Sequence, residues 1–265
     1  LSSKSQWTSL AERLSSRFRV IALDLCGYGD NVMPSAHASF TLDNEVRLIT
    51  DQLDRLVEPH TRVQVVGHSY GALVALRFAQ CRSDRVASLS LYEPVAFGML
   101  DDQDVELIRA RHFAGHVRHL IAAGCRSDAA QVFVDFWSGD GSYASLPHAA
   151  QVSIASRIDK VPLDFQAASQ WQPGPAELRT IAGPTLLLGG RHSPAVVRRI
   201  LNVLAETLPD SRRPGAFDAG HMAPVTDPDR INPWIEAFVD ICAERETIHH
   251  PHAKMASIQA RMLTT

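Results

Sequence analysis

One serine in this chain stands in a context that could activate it. The stretch VQVVGHSYGALVALRFA sets Ser69 between Gly67 and Gly71, after a short apolar run and ahead of an Ala- and Leu-rich run with helical character. A serine on a sharp strand-to-helix turn needs small flanking residues, because side chains there would collide with the adjacent backbone. The turn lifts the hydroxyl clear of the sheet. The helix that follows aims N–H groups and the positive end of its dipole at any oxyanion forming beside the serine. The Tyr70 N–H is the candidate donor. Three fixed positions are a weak signal alone, and the flanking strand and helix carry most of the information. The plainer reading is a capping serine at an ordinary helix start.

A serine hydroxyl is a poor nucleophile near neutral pH and needs a base within hydrogen-bond reach, oriented in turn by a third group. Of the 12 histidines, His221 lies in the Gly-containing turn DAGHM, after a short extended piece and before the last helix. His249, His250 and His252 form HHPH in the tail and read as solvated. No Cys or carboxylate is arranged to complete a metal site with them, so neither a metal nor another cofactor is expected.

Several elements must position these residues. Leu10 and Leu14 give Trp7 to Arg17 helical spacing, and RVIALDL follows as a buried strand ending in a turn at Gly27 and Gly29. Thr41 to Val57 is an amphipathic helix built on Leu42, Val46, Ile49, Leu53 and Leu56. The segments VQVV, VASLSLY and TLLLG are further strands, separated by helices. This alternation predicts an α/β fold with a mostly parallel sheet flanked by helices. About ninety residues between the third and fourth strands show helical patterns and no strand, which predicts a helical insertion.

Ser69 within GHSYG, DLCGYG at Asp24 to Gly29 and AGHM at Ala219 to Met222 together resemble the α/β-hydrolase superfamily, over Trp7 to Ala243. The resemblance implies a serine hydrolase, of carboxylesterase-like kind, with the chain order Ser, acid, His and with His221 as the base. It puts the commonest acid just after TLLLG, where this chain reads GRHSP, and neither His192 nor Ser193 can carry the negative charge. Some haloalkane dehalogenases of the superfamily use instead a Glu directly after the strand that follows the nucleophile helix. Here SLSLYEP offers Glu93. The carboxyl ends of neighbouring parallel strands open into one crevice, so a Glu there can reach the imidazole. Asp218, close to His221 in sequence, is the second choice, and His68 is expected to support the turn. The resemblance also places a second oxyanion donor at or just before Leu1, so the expected fold is one with its N-terminal strands missing.

The implied organisation is a core of residues 1–96, a helical lid of 97–175, the second part of the core at 176–243, and a tail of 244–265 expected to be partly disordered or loosely docked. Phe97, Leu100, Phe136 and Trp137, with Phe133 and Trp171, are candidates for an apolar substrate pocket under that lid. An ester or similar carbonyl bond of a small, partly hydrophobic molecule is the expected substrate. A C–C bond hydrolase of ring-cleavage products would use the same three side chains and would be favoured by Arg109 or Arg111 meeting a carboxylate. A dehalogenase or epoxide hydrolase would need an Asp where Ser69 stands. A non-catalytic binding homologue and an interfacial lipase complete the alternatives.

The 265 residues, 45% of them hydrophobic, suffice for one substantial core, and the net charge of -3 arises without a basic block. A nucleic-acid or membrane partner is therefore not expected, and a small-molecule substrate is. Cys26, Cys81, Cys125 and Cys242 lack paired spacing and read as reduced thiols. The opening LSSKSQW resembles no leader, and a cytoplasmic location is expected.

Overall fold

A strand buried on both faces needs apolar residues pointing both ways, and the central strands supply them. The computed structural model describes residues 1–34, 40–249 and 260–264. Its strands are β1 (Arg19–Leu23), β2 (Val63–His68), β3 (Val86–Tyr92), β4 (Thr185–Gly190), β5 (Ser211–Arg212), β6 (Ala216–Phe217) and β7 (Ala260–Thr264). Every residue of β2, β3 and β4 is buried. Val65, Leu89 and Leu187 enter one core, while Val66, Tyr92, Leu186 and Leu188 enter the other, as the two-residue period of a strand requires.

Helices cover both faces. On the first lie α2 (Leu42–Leu56), α3 (Tyr70–Cys81) and α9 (Ala195–Thr207), which contribute Ile49, Leu73 and Ile200 to the core. On the second lie α1 (Thr8–Leu14) and α11 (Pro228–His249), which contribute Leu10, Leu14, Ile235 and Val239. The short α10 (Ala223–Thr226) leads into α11. The neighbouring strands pair in parallel in the order β1-β7-β2-β3-β4-β5, with β6 also pairing β4. The expected sheet, with its alternating helices, is the one observed.

Two differences fall in the expected tail. The last helix runs to His249 rather than ending at Ala243. Ala260–Thr264 is neither loose nor peripheral: it enters the sheet between β1 and β2, with Ile21 and Val65 both opposite Met262. ARMLT shows neither alternation nor an apolar run, so periodicity gave no sign of it. Main-chain pairing on both sides makes a strand there regardless of pattern. His250 and His252 of the HHPH motif lie outside the described residues.

Between β3 and β4 the chain builds the helices α4 (Val105–Ala122), α5 (Arg126–Ser138), α6 (His148–Arg157), α7 (Val161–Gln170) and the single turn α8 (Pro175–Leu178). They enclose a core of their own around Phe113, Val117, Ala129, Ala130, Ile158 and Val161. Asp104 fixes the start of α4. Its carboxylate accepts from Glu106 N at 2.9 Å, as a helix N-cap does, and pairs with Arg199 of α9 at 3.1 Å. Among the described residues no helix is long and apolar enough to cross a membrane.

Candidate active site

Ser69 occupies the turn from β2 into α3 with φ 55° and ψ -118°. A Cβ on Gly67 would stand 2.7 Å from both the Gly71 carbonyl oxygen and Ala72 Cα. That position therefore admits only glycine, as the sequence pattern required. Glu93, at the matching exit of β3, also has a positive φ of 48°. The two unusual backbones are tied together, since Ser69 N donates to the Tyr92 carbonyl at 2.9 Å. Strain of this kind persists only where the surroundings over-determine it.

The fold joins three side chains that are far apart in sequence. His221 Nε2 lies 2.9 Å from Ser69 Oγ, and its Nδ1 lies 2.7 Å from Glu93 Oε2. His221 is 2% exposed and Glu93 is fully buried. The other carboxylate oxygen of Glu93 accepts from Gly190 N at 2.6 Å. With Nδ1–H given to the carboxylate, the Nε2 lone pair faces the serine hydroxyl, the tautomer a general base needs.

The glycine pair that ends β4, which sequence reasoning passed over, explains why the acid can sit at the exit of β3. A Cβ on Gly189 would lie 2.6 Å from Leu201 Cδ1 and 3.3 Å from Glu93 Oε1, and one on Gly190 would lie 2.0 Å from the Ala219 carbonyl oxygen. The end of β4 is thus cleared for the Glu93 carboxylate and for the histidine turn. Two glycines directly after an apolar strand were the available signal. Asp218, the second candidate, is instead at the surface, 2.7 Å from His192 Nε2, and this hydrogen bond first and Arg191 second hold its carboxyl below the usual range.

Two side chains hold the histidine turn. Tyr92 Oη donates to the Gly220 carbonyl at 2.8 Å, and His68 Nε2 donates to the His221 carbonyl at 2.8 Å. Burial, reinforced by neighbouring His221, keeps the His68 imidazole well below its ordinary pKa and so neutral. From α5, Trp137 stacks on the His221 ring at 4.2 Å between centroids, with 26° between planes.

A cavity of about 640 Å³ opens at Ser69 and His221, within the size range of small-molecule sites. Phe97, Phe133 and Trp137 line it, with Ile154, Val161 and Phe165. Leu100, Phe136 and Trp171 do not. Phe133 and Trp137, four apart, share one face of α5, whereas Phe136 packs against the insertion's own core and stacks on Phe113 at 3.9 Å. Leu100 is packed in the main core, and Trp171 Nε1 donates to Gln80 at 3.1 Å. Arg109 and Arg111 stay outside the cavity, paired with Glu106 at 2.7 Å and Asp102 at 2.6 Å.

Many solved structures share this arrangement of sheet and helices. The sequence pattern of the alpha/beta hydrolase family matches residues 2–234, and the chain belongs to that family. It is similar to a haloalkane dehalogenase of Agrobacterium fabrum, 34% identical over 89 residues, which are 34% of this chain and 28% of that one. Epoxide hydrolase 4 of Mus musculus is 32% identical over 83 residues, 31% of this chain and 23% of the relative. These stretches are about a quarter of the relatives' length. Among solved structures, MenH from S. aureus superposes with a TM-score of 0.71 at 20% identity, covering 91% of each chain, which is a likeness of fold.

Proposed function

We propose that this chain is a serine hydrolase that cleaves an ester or similar carbonyl bond of a small, partly hydrophobic substrate through an acyl-enzyme. The observation that carries this reading is the continuous line Ser69–His221–Glu93 opening into an apolar cavity. Ser69 Oγ adds to the carbonyl carbon as its proton passes to His221 Nε2, and Glu93 stabilises the imidazolium through Nδ1. The oxyanion meets the Tyr70 N–H at the start of α3. Collapse expels the alcohol, which takes the proton from Nε2, and water then releases the acid by the same steps with His221 again as base.

The epoxide hydrolase and dehalogenase named among the relatives suggest other bonds, but Ser69 occupies the position where those chemistries need an Asp. A substrate carboxylate, as a C–C bond hydrolase would bind, finds no arginine among the described residues of the cavity wall.

The test is covalent labelling with a fluorescent phosphonofluoridate. Wild type is expected to label and Ser69→Ala to show no labelling, with ester turnover reduced by about 10⁴-fold or more. The variant should keep its melting temperature within about 2 °C, because removing one half-buried hydroxyl oxygen leaves the surrounding packing intact. Labelling of Ser69→Ala equal to wild type would end the reading.

A further inference from the structure

The cavity carries polar groups that the chemistry above does not use. Tyr70 is 7% exposed and lines the cavity, and its hydroxyl is buried with no hydrogen-bond partner among the described residues. Asp164 of α7, also 7% exposed, lines the same cavity with Tyr28, and its charge acts on the Tyr70 hydroxyl. Asp164 accepts from the Tyr28 hydroxyl and from Lys160 Nζ. Lys160 is fully buried, 3.3 Å from Glu45 Oε1, and its ammonium lies 4.4 Å from the Phe40 ring centre and 4.9 Å from that of Tyr70. A carboxylate has about four lone-pair sites, so Asp164 keeps acceptor capacity toward the cavity.

A buried hydroxyl without a partner costs free energy unless something arrives to bond it. Two carboxylates share one ammonium here, and that ammonium already contacts both. An entering anion would meet a surplus of negative charge, whereas a hydroxyl could accept from Tyr70 and donate to Asp164, and an ammonium could donate to both.

We propose that Tyr70 Oη and the Asp164 carboxylate form a recognition site for a hydrogen-bond-donating, non-anionic group, a hydroxyl or an ammonium, on the part of the substrate that lies under the lid. The proposal rests on the serine hydrolase reading and narrows its substrate class. The apolar walls hold the chain between this group and the scissile bond, and the two polar groups set its length and terminus. Specificity built from buried hydrogen-bonding groups rejects the analogue lacking its partner, because the site's own groups are then left unpaired.

Two ester series test it, one varying the acyl chain and one the alcohol, each over several lengths and ending in methyl, hydroxyl, ammonium or carboxylate. The expected result is a kcat/KM for the hydroxyl or ammonium ester roughly tenfold or more above the methyl ester of best length, with the carboxylate ester poorest. That ratio should fall to about one in Tyr70→Phe, which preserves the ring's shape and so carries the test if Asp164→Asn fails to fold. The methyl or carboxylate ester being best at every length, or the preference surviving Tyr70→Phe, would overturn the proposal. Phosphonofluoridate labelling of Ser69, run in parallel, separates the two readings. A labelled protein without the preference loses only the recognition site, while an unlabelled and inactive wild type loses both.

Discussion

Two buried groups of charges border one cavity, and they differ in how their hydrogen bonds are used. Along Ser69, His221 and Glu93 each contact passes to the next, and the Glu93 carboxylate is also held by Gly190 N. In the proposed mechanism a proton passes from Ser69 Oγ to His221 Nε2 and back, while Glu93 stays charged and steadies the imidazolium. Around Lys160 the contacts converge instead: Glu45 of α2, in the core, and Asp164 of α7, in the helical insertion, meet one ammonium. Burial pushes both carboxyls up, and Lys160, despite the opposing effect of burial, is held above its ordinary value by those same carboxylates. In the proposed mechanism the first group serves transfer, while the second joins the helical insertion to the core. Their removal should therefore register in different measurements.

The largest effect expected is on turnover. Glu93→Gln removes the charge that orients and stabilises the imidazolium, and kcat should fall by about 10² to 10⁴-fold in a steady-state ester assay, with the fold retained by circular dichroism. Next, Lys160→Met strands two buried carboxylates, and urea denaturation should show a loss of about 3–5 kcal/mol. Adding Glu45→Gln and Asp164→Asn should restore much of it, since a wholly neutral cluster needs no counter-charge. If Lys160→Met left stability unchanged and Glu93→Gln unfolded the protein, the division would be reversed. The smallest effect is assigned to His192→Ala, whose partner Asp218 is a surface residue. Its turnover should stay within about threefold, because exposed ion pairs contribute little.

The legibility of the two groups in the sequence differs for a physical reason. GHSYG announces itself because a turn imposes residue types on its immediate neighbours, and Glu93 follows β3 directly, so local pattern and strand adjacency suffice. Lys160 meets Glu45 across 115 positions and Tyr28 meets Asp164 across 136, and nothing local in any of them marks the encounter. Phe136 and Leu100 failed as pocket residues because an aromatic or aliphatic type does not reveal which side of a helix or loop faces the cavity. The strand at 260–264 escaped notice for the converse reason, since its neighbours in the sheet impose its conformation.

That strand bears on how the protein is made. Among the described residues β1 pairs only with β7, and Arg19 to Leu23 find their partners at Ala260 to Thr264. During synthesis, β2, β3 and β4 can associate as they emerge from the ribosome. Among the described residues β1 meets its sheet neighbour at 260–264, about 240 positions further along the chain. Closing so long a separation is slow, so the link from β1 through residues 260–264 to β2 is expected to form late, after β2, β3 and β4 have paired.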